Sequence, residues 1–486
     1  MDPLKICFVT AEVSPFAKTG GLGDVSAALP RTLHRLGHDV RLFLPFYAQI
    51  DRQKHRILAV EFLRNIPVEL GGRRYRFSVY TTEMPRSDLP LYLIHCPALY
   101  DRAGIYGGGA DEAVRFALLT RAAIECCQRM GFAADVFHAN DWHSALLPLY
   151  LKTLYQWDEL FARSKTALTI HNIGYQGIFP VSSVPAVGLG EHAEKLHLED
   201  LDHGIINFLK SGILYADVVT TVSPTHSDEI RTPEYGMGLD GLLRKRSSSV
   251  LGILNGIDPE EWSPERDPLI PIQYSADDLE GKAFCKLALM GDLGLEHDPE
   301  VPALGIVTRL VKQKGIDLLR QVLPSFVDSV DCRLAVLGSG EKAYEEFFAA
   351  LQRRFPDRVC FYRGYNNELA HRIEAGCDLF LMPSLYEPCG LNQMYSLAYG
   401  TPPVVRKTGG LADAVQLFDR GSGEGNGFVF DSATADALGW ALGYALEVWR
   451  DRPAWDRLVQ NGMRRDFSWE KQAGLYVELY RRLAGR

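Results

Sequence analysis

Short apolar runs punctuate this chain. They fall at 4–10 (LKICFVT), 39–44 (DVRLFL), 91–95 (LYLIH), 135–138 (DVFH), 166–170 (TALTI) and 217–222 (DVVTTV). Short continuous runs of this kind read as strands buried on both faces, the habit of a mainly parallel sheet. Helical spacing follows several of them. After the first strand, Val25, Leu29 and Leu33 repeat from about Asp24; over 112–130, Val114, Leu118, Ala122 and Cys126 repeat, with Gly131 just past the end. The run 75–80 (YRFSVY) adds a further strand, so the stretch 45–95 is richer in strands and predicts a local hairpin insertion.

The second half repeats the scheme with strands at 250–254, 303–308, 332–337, 358–362, 378–382, 403–405 and 427–430, and a closing helix over 469–484. Strands alternating with helices predict an α/β class of doubly wound, Rossmann-like sheets, whose ligands lie beyond the carboxyl ends of the strands. With 486 residues the chain exceeds one typical core. The seam is expected near 245–258, where Arg244-Lys-Arg-Ser-Ser-Ser249 gives way to a strand and then Asn255-Gly256-Ile257-Asp258. Two such sheets facing one another would make a cleft between domains. The patch 421–427 (GSGEGNG) reads as a flexible surface loop.

Composition narrows the function. A hydrophobic content of 47% with 23% charged residues allows large cores, and a net charge of -9 argues against a protein that neutralises nucleic-acid phosphates. No apolar run is long enough to span a membrane, and the N-terminus lacks the pattern of a signal peptide. Nine scattered cysteines without Cys-x-x-Cys spacing read as buried thiols, so a reducing cytoplasm is the expected location. The histidines 138, 143, 171 and 203 show no metal-ligand spacing. Asp200-Leu-Asp202 lies in a polar stretch away from a clear strand end, so neither metal nor cofactor is expected.

Candidate chemistry gathers where strands end. Lys18-Thr-Gly20-Gly21-Leu-Gly-Asp24 links a strand to a helix; its glycines let backbone approach an anion and Lys18 adds a charge. The same words recur at 407–413 around Thr408, so each copy is either an anion cradle or a bare tight turn. The first copy lacks the third glycine of the dinucleotide fingerprint, which weakens any case for hydride transfer. After the strand 303–308 come Arg309 and Lys314, a guanidinium and an ammonium suited to a departing diphosphate, or simply a solvated basic loop. After 378–382 come Glu387, a strand-end carboxylate, and the N–H groups of Leu391 and Asn392 opening a helix. In the first half, Asp141, Trp142, His171, Asn172 and Tyr175 also follow strands, where they could bond hydroxyls or stack on a sugar ring, or be core.

The ordered set K-T-G-G-L-G-D (18–24), N-D-W-H (140–143), H-N-I-G-Y-Q-G (171–177), N-G-I-D (255–258), R-L-V-K-Q-K-G (309–315), R-G-Y (363–365), E-P-C-G-L-N-Q (387–393) and T-G-G-L (408–411) resembles the bacterial glycogen synthases, a family shared with plant starch synthases. The resemblance spans essentially the whole chain. It implies a GT-B fold with Rossmann-like domains at 1–252 and 253–466, the helix 467–486 crossing back to the first. It implies metal-free transfer of glucose, with retention, from ADP-glucose to the 4-hydroxyl of an α-1,4-glucan. Matched by position, Lys18, Gly20, Gly21, Asn255, Gly364, Tyr365, Leu391, Asn392 and Thr408 would hold the donor, with Tyr365 beside adenine. Arg309 and Lys314 would meet the diphosphate, and His171, Asn255 and Glu387 the glucose. Asp24, Asp141, Asn172, Trp142 and Tyr175 would line the acceptor side. Many retaining relatives carry a second glutamate eight positions after the first; here Tyr395 stands there, with Gln393 nearby. A UDP-glucose enzyme of the same fold, a non-catalytic glucan-binding relative and a phosphorylase using pyridoxal phosphate are the competing readings.

Overall fold

The computed structural model describes residues 2–109 and 111–486. The chain divides into two compact units: residues 1–222, 227–253 and 469–486 make the first, and 223–226 with 254–468 the second.

Among the described residues, twelve strands belong to the first unit: β1 (Lys5–Val9), β2 (Asp39–Pro45), β3 (Leu58–Ala59), β4 (Ile66–Leu70), β5 (Arg73–Glu83), β6 (Pro90–His95), β7 (Val136–Asn140), β8 (Lys165–Ile170), β9 (Ile178–Pro180), β10 (Ile205–Asn207), β11 (Val218–Thr221) and β12 (Val250–Gly252). The main sheet runs β12-β11-β8-β7-β1-β2-β6-β5-β3, with β4 on β5, while β9 and β10 form a separate ribbon. Pairing is parallel from β12 to β6 and antiparallel beyond it. The hairpin predicted within 45–95 is β4–β5, turning at Gly71 and Gly72, both at positive φ. The central strands β1 and β7 are buried along nearly their whole length, which is why their sequences do not alternate.

The run 250–254, expected to open the second half, instead ends the first sheet. Val250 pairs with Val219, and β12 is its edge strand. A three-residue apolar strand carries no mark of which sheet it joins. The C-terminal helix Trp469–Ala484 also packs in the first unit: Tyr480 shares a 2.7 Å hydrogen bond with His138 Nδ1 on β7, and Arg35 pairs with Glu470.

The second unit is a six-stranded parallel sheet of β13 (Ala303–Val307), β14 (Arg333–Gly338), β15 (Val359–Arg363), β16 (Leu379–Met382), β17 (Pro403–Arg406) and β18 (Phe428–Phe430), in the order β15-β14-β13-β16-β17-β18. Successive residues of β14 serve opposite cores. Leu334 and Val336 join the helices Ile316–Ser329 and Ala435–Arg450, whereas Ala335 and Leu337 join Glu280–Leu293 and Asn367–Gly376. That is a doubly wound sheet covered on both faces, as the sequence predicts. The glycine-rich patch is less loose than expected: Asp419 N–H donates to Glu424 O, and Asn461 Nδ2 donates to the carbonyls of Gly423 and Gly425. Polar neighbours outside the patch, which composition does not reveal, hold it.

Candidate functional site

In each sheet the strand order reverses beside the unit's first strand, between β1 and β7 and between β13 and β16. There, neighbouring connections leave toward opposite faces and a crevice opens at the carboxyl ends. Most loops singled out in the sequence leave these strands or their neighbours; those at Asn255 and Gly364 follow β12 and β15, farther out in each sheet.

In the first unit the loop after β1 is organised by a residue the sequence reading passed over. Glu12 is almost fully buried, and its carboxylate accepts hydrogen bonds from Thr19 N (2.6 Å), Gly20 N (3.2 Å), Thr19 Oγ1 (2.7 Å) and Tyr106 Oη (2.6 Å). Charge-assisted bonds to backbone N–H are among the stronger ones, so Glu12 fixes the Lys-Thr-Gly-Gly turn. A Cβ on Gly20 or Gly21 would meet no atom within 4 Å, so packing demands glycine at neither position. Lys18 Nζ lies 2.7 Å from Asp24 Oδ1. Burial nevertheless raises the Asp24 carboxyl above its ordinary pKa, against the opposing pull of Lys18.

The loops after β7 and β8 are joined by Asp141. It sits in the left-handed region at φ 52°, and its Oδ1 accepts from His171 N (2.7 Å) and Asn172 N (3.3 Å). Burial pushes its carboxyl up to about 7 despite those donors. Burial also lowers His171 to about 3, so the ring is neutral; its Nε2 lies 3.0 Å from Asn140 Oδ1, an oxygen that only accepts, so Nε2 carries the proton. His171 Nδ1 is then an acceptor. Asn172 Oδ1 accepts from Gly174 N and shapes the turn. Trp142, expected as an open stacking face, is packed by Phe116, Phe179 and Phe208, and a Cβ on Gly177 would fall 2.3 Å from its ring. The open aromatic face in this loop is Tyr175, 65% exposed. His138 is structural, bonded to Thr169 and Tyr480.

In the second unit the loops after β13 and β16 are laced together. Leu385 N–H donates to Gln313 O, Gln313 Nε2 donates to Tyr386 O, and Lys314 Nζ donates to Glu387 Oε2. Ser384 Oγ donates to the same carboxylate oxygen at 2.9 Å. A Cβ on Gly315, at φ 71°, would lie 1.9 Å from Pro383 O, so only glycine lets the loops approach this closely. Arg309, at the start of the loop after β13, is exposed.

The remaining donor candidates of this unit lie on other strand-end loops. Asn255 is buried, and its Oδ1 has no partner within the described residues, an acceptor available to a ligand hydroxyl. Gly364, at φ 129°, follows β15 and precedes Tyr365, which is 73% exposed. Asn392 Nδ2 donates to Val307 O, tying the helix that begins there to β13; Leu391 is its N-cap. Thr408 is buried at the start of the second glycine pair. That pair does a different job from the first: a Cβ on Gly409 would lie 2.0 Å from Glu387 O, and one on Gly410 2.1 Å from Cys389 O. These glycines let the backbone pack beneath Glu387. The position eight after Glu387 holds no acid. The Tyr395 ring stacks on Trp262 (centroids 3.8 Å), which stacks on His371 (3.8 Å), and the buried Asp267 holds His371. Among the described residues, no group of three or more His, Cys, Asp or Glu is placed to hold a metal ion.

Comparison with known proteins shows the family over the full length. The starch synthase catalytic domain family matches residues 5–245, and the glycosyl transferases group 1 family matches 294–464. The chain is 46% identical to a glycogen synthase of Anaeromyxobacter dehalogenans over 99% of both chains. The chain belongs to the glycogen and starch synthase family. Glycogen synthase 1 of Geobacter metallireducens is 43% identical over 99% of this chain and 96% of its own. The solved catalytic domain of starch synthase IV from Arabidopsis thaliana, bound to ADP and acarbose, superposes with a TM-score of 0.91 at 34% identity, covering all of both chains.

As a member of this family the chain is a glycosyltransferase of the GT-B class, and its two doubly wound units are the two α/β halves of that fold. What sequence reasoning missed were the residues that hold the site residues: Glu12, Tyr106 and Ser384. The Glu12 signal was faint, a lone acid two residues past an apolar strand.

Proposed function

We propose that this protein elongates an α-1,4-glucan by transferring glucose from ADP-glucose to a non-reducing 4-hydroxyl, with retention and release of ADP, in the cytoplasm. The observation that carries the reading is the Lys314–Glu387 pair at the strand-order reversal of the second unit, with Arg309 in the same loop as Lys314. Arg309 and Lys314 neutralise the diphosphate as it leaves. Glu387 and Asn255 receive hydroxyls of the glucose, Tyr365 offers its exposed ring to the adenine, and the N–H groups at Leu391 and Asn392 and the turn at Thr408 take phosphate oxygens.

In the first unit Lys18 with the open backbone at Gly20 and Gly21 suits an anionic part of the sugar nucleotide, and Asp24, Asp141, His171, Asn172 and Tyr175 suit glucose and acceptor hydroxyls. In the transfer, the bond from the anomeric carbon to the phosphate oxygen breaks and one to the acceptor O4 forms on the same face. The hydroxyl proton passes to the departing phosphate. A double displacement needs a carboxylate placed to attack; Tyr395 occupies the second acid's place, and one oxygen of the Asp141 carboxyl is held by two backbone N–H groups. Free thiols throughout, and the lack among the described residues of a helix long and apolar enough to cross a membrane, favour the cytoplasmic site.

The test is glucose incorporation into glycogen from ADP-glucose against UDP-glucose. The reading requires faster incorporation from ADP-glucose. Equal or faster use of UDP-glucose overturns the donor, and trapping a covalent glucosyl-enzyme on Glu387 or Asp141 overturns same-face attack.

A further inference from the structure

The helix Ala435–Arg450 buries Leu438, Leu442, Ala445 and Trp449 against the sheet, but its outer face carries Trp440, 54% exposed. One turn on, Tyr444 lies beside it with ring planes 14° apart and centroids 5.7 Å apart. Tyr444 is anchored: its Oη donates to Phe418 O at 3.0 Å and its ring packs edge-on with Phe428. It therefore props the indole toward solvent, where burial gains nothing for the fold.

Two glycines flank the indole. A Cβ on Gly439 or Gly443 would meet no atom within 4 Å, and neither residue has a positive φ. Glycine in a helix interior costs about 1 kcal/mol relative to alanine, and neither packing nor backbone conformation recovers it here. What the glycines do provide is a flat, bare floor beside the ring. Polar groups rim it. Arg420, held by Asp451 at 2.7 Å, lies within electrostatic reach of Tyr444 and Glu447. The ties to Phe418 and Arg420 draw this patch toward the amino ends of the strands, since 417–427 leads into β18, whereas Lys314 and Glu387 follow carboxyl ends.

We propose that Trp440 and Tyr444 form a second docking platform for α-glucan chains, separate from the transfer site; the choice of ligand rests on the function proposed above. A glucose ring has an apolar C–H face that stacks on an indole, and its edge hydroxyls meet the Arg420 and Glu447 rim. A polymer with many chain ends gains from being held at one chain while another is extended, because the second encounter becomes intramolecular. One indole beside bare glycine backbone, with Asp436 and Glu447 on the same face, falls well short of the roughly 800 Å² per partner of a stable protein interface.

The test compares the parent chain with Trp440→Ala and Gly443→Gln, by retardation in glycogen-containing native gels and by transfer kinetics. Both variants are expected to lose most retardation and to raise half-saturating glycogen roughly tenfold, the loss of one contact from a multivalent acceptor. Transfer to maltotriose, too short to bridge two sites, stays unchanged. Gly443→Gln also improves helix propensity, so weaker retention at an equal or higher melting temperature separates a blocked platform from a damaged fold. Parent-like retardation and half-saturation in both variants overturn the proposal. So does loss of self-association on sedimentation with glycogen retention intact, which would make the patch a contact between copies of this chain. Absence of maltotriose transfer in the parent overturns the proposed function alone, because gel retardation reads the platform without turnover.

Discussion

Lys314 Nζ and Glu387 Oε2 lie 2.5 Å apart, joining two loops 73 residues apart in sequence that leave the adjacent strands β13 and β16. Both side chains are largely withdrawn from water, at 15% and 8% exposure. Each therefore offsets part of the desolvation that the other's burial costs.

Replacing Lys314 by alanine leaves Glu387 with the Ser384 hydroxyl as its remaining side-chain donor. The expected result is a fall of roughly 10³-fold in kcat/KM for the donor, the scale of losing an electrostatic stabiliser of a leaving group. A second measurement separates structure from chemistry. Lys314→Ala combined with Glu387→Gln should be less destabilised than the two single changes added, because the pair is removed together; additivity within about 0.5 kcal/mol would mean that the two do not interact.

The pH behaviour of Asp141 follows from burial. Its carboxyl holds a proton up to about 7 in the folded protein, whereas an unfolded chain releases it near the ordinary 3.8. Between these values the folded state binds more protons, so this group's contribution to stability falls as pH rises through the window and is constant above it. The full effect is about 4 kcal/mol as an order of magnitude. His138, His143 and His171, each lowered to about 3 by burial, act in the opposite sense. They largely cancel when Asp141→Asn is compared with the parent at each pH. The variant should gain stability relative to the parent between pH 4 and 7 and no further above 8, read by urea unfolding. A gap independent of pH would contradict the assignment.

The two Lys-Thr-Gly-Gly copies predict opposite responses to one change. Gly409→Ala drives a Cβ into Glu387 O at a positive φ, so it should lower the melting temperature and abolish most transfer. Gly20→Ala has extended backbone and an open surround, so its stability should stay within about 0.5 kcal/mol of the parent while donor KM rises. Thermal melts and initial rates on the two variants check this.

Glu12→Gln keeps the size of the side chain but turns one acceptor oxygen into a donor facing N–H and O–H groups. The amides of Thr19 and Gly20 should then exchange hydrogen faster, and donor KM should rise about tenfold, the cost of roughly one charged hydrogen bond. Unchanged exchange at both amides would show that the turn holds itself.

The sequence was most informative where burial is complete. β1, β7 and β13 announce themselves as short apolar runs because both of their faces are covered, and their ends locate the loops that carry Lys18, Asp141 and Arg309. Less legible was anything set by long-range pairing. The run at 250–254 has no local mark that sends Val250 to Val219, and Trp142 has none that encloses it with Phe179 and Phe208. Nor do identical words fix identical roles. Gly20 faces open space and Gly409 supports Glu387, a difference decided by what packs above each turn.

The most direct test of the central claim is proton NMR of the product formed from ADP-glucose and maltotriose. The account predicts maltotetraose with a new α-1,4 linkage, ADP released in equal amount, and no turnover in Glu387→Gln above a small residue. A β-linked product, free glucose in place of transfer, or full turnover in that variant would contradict it.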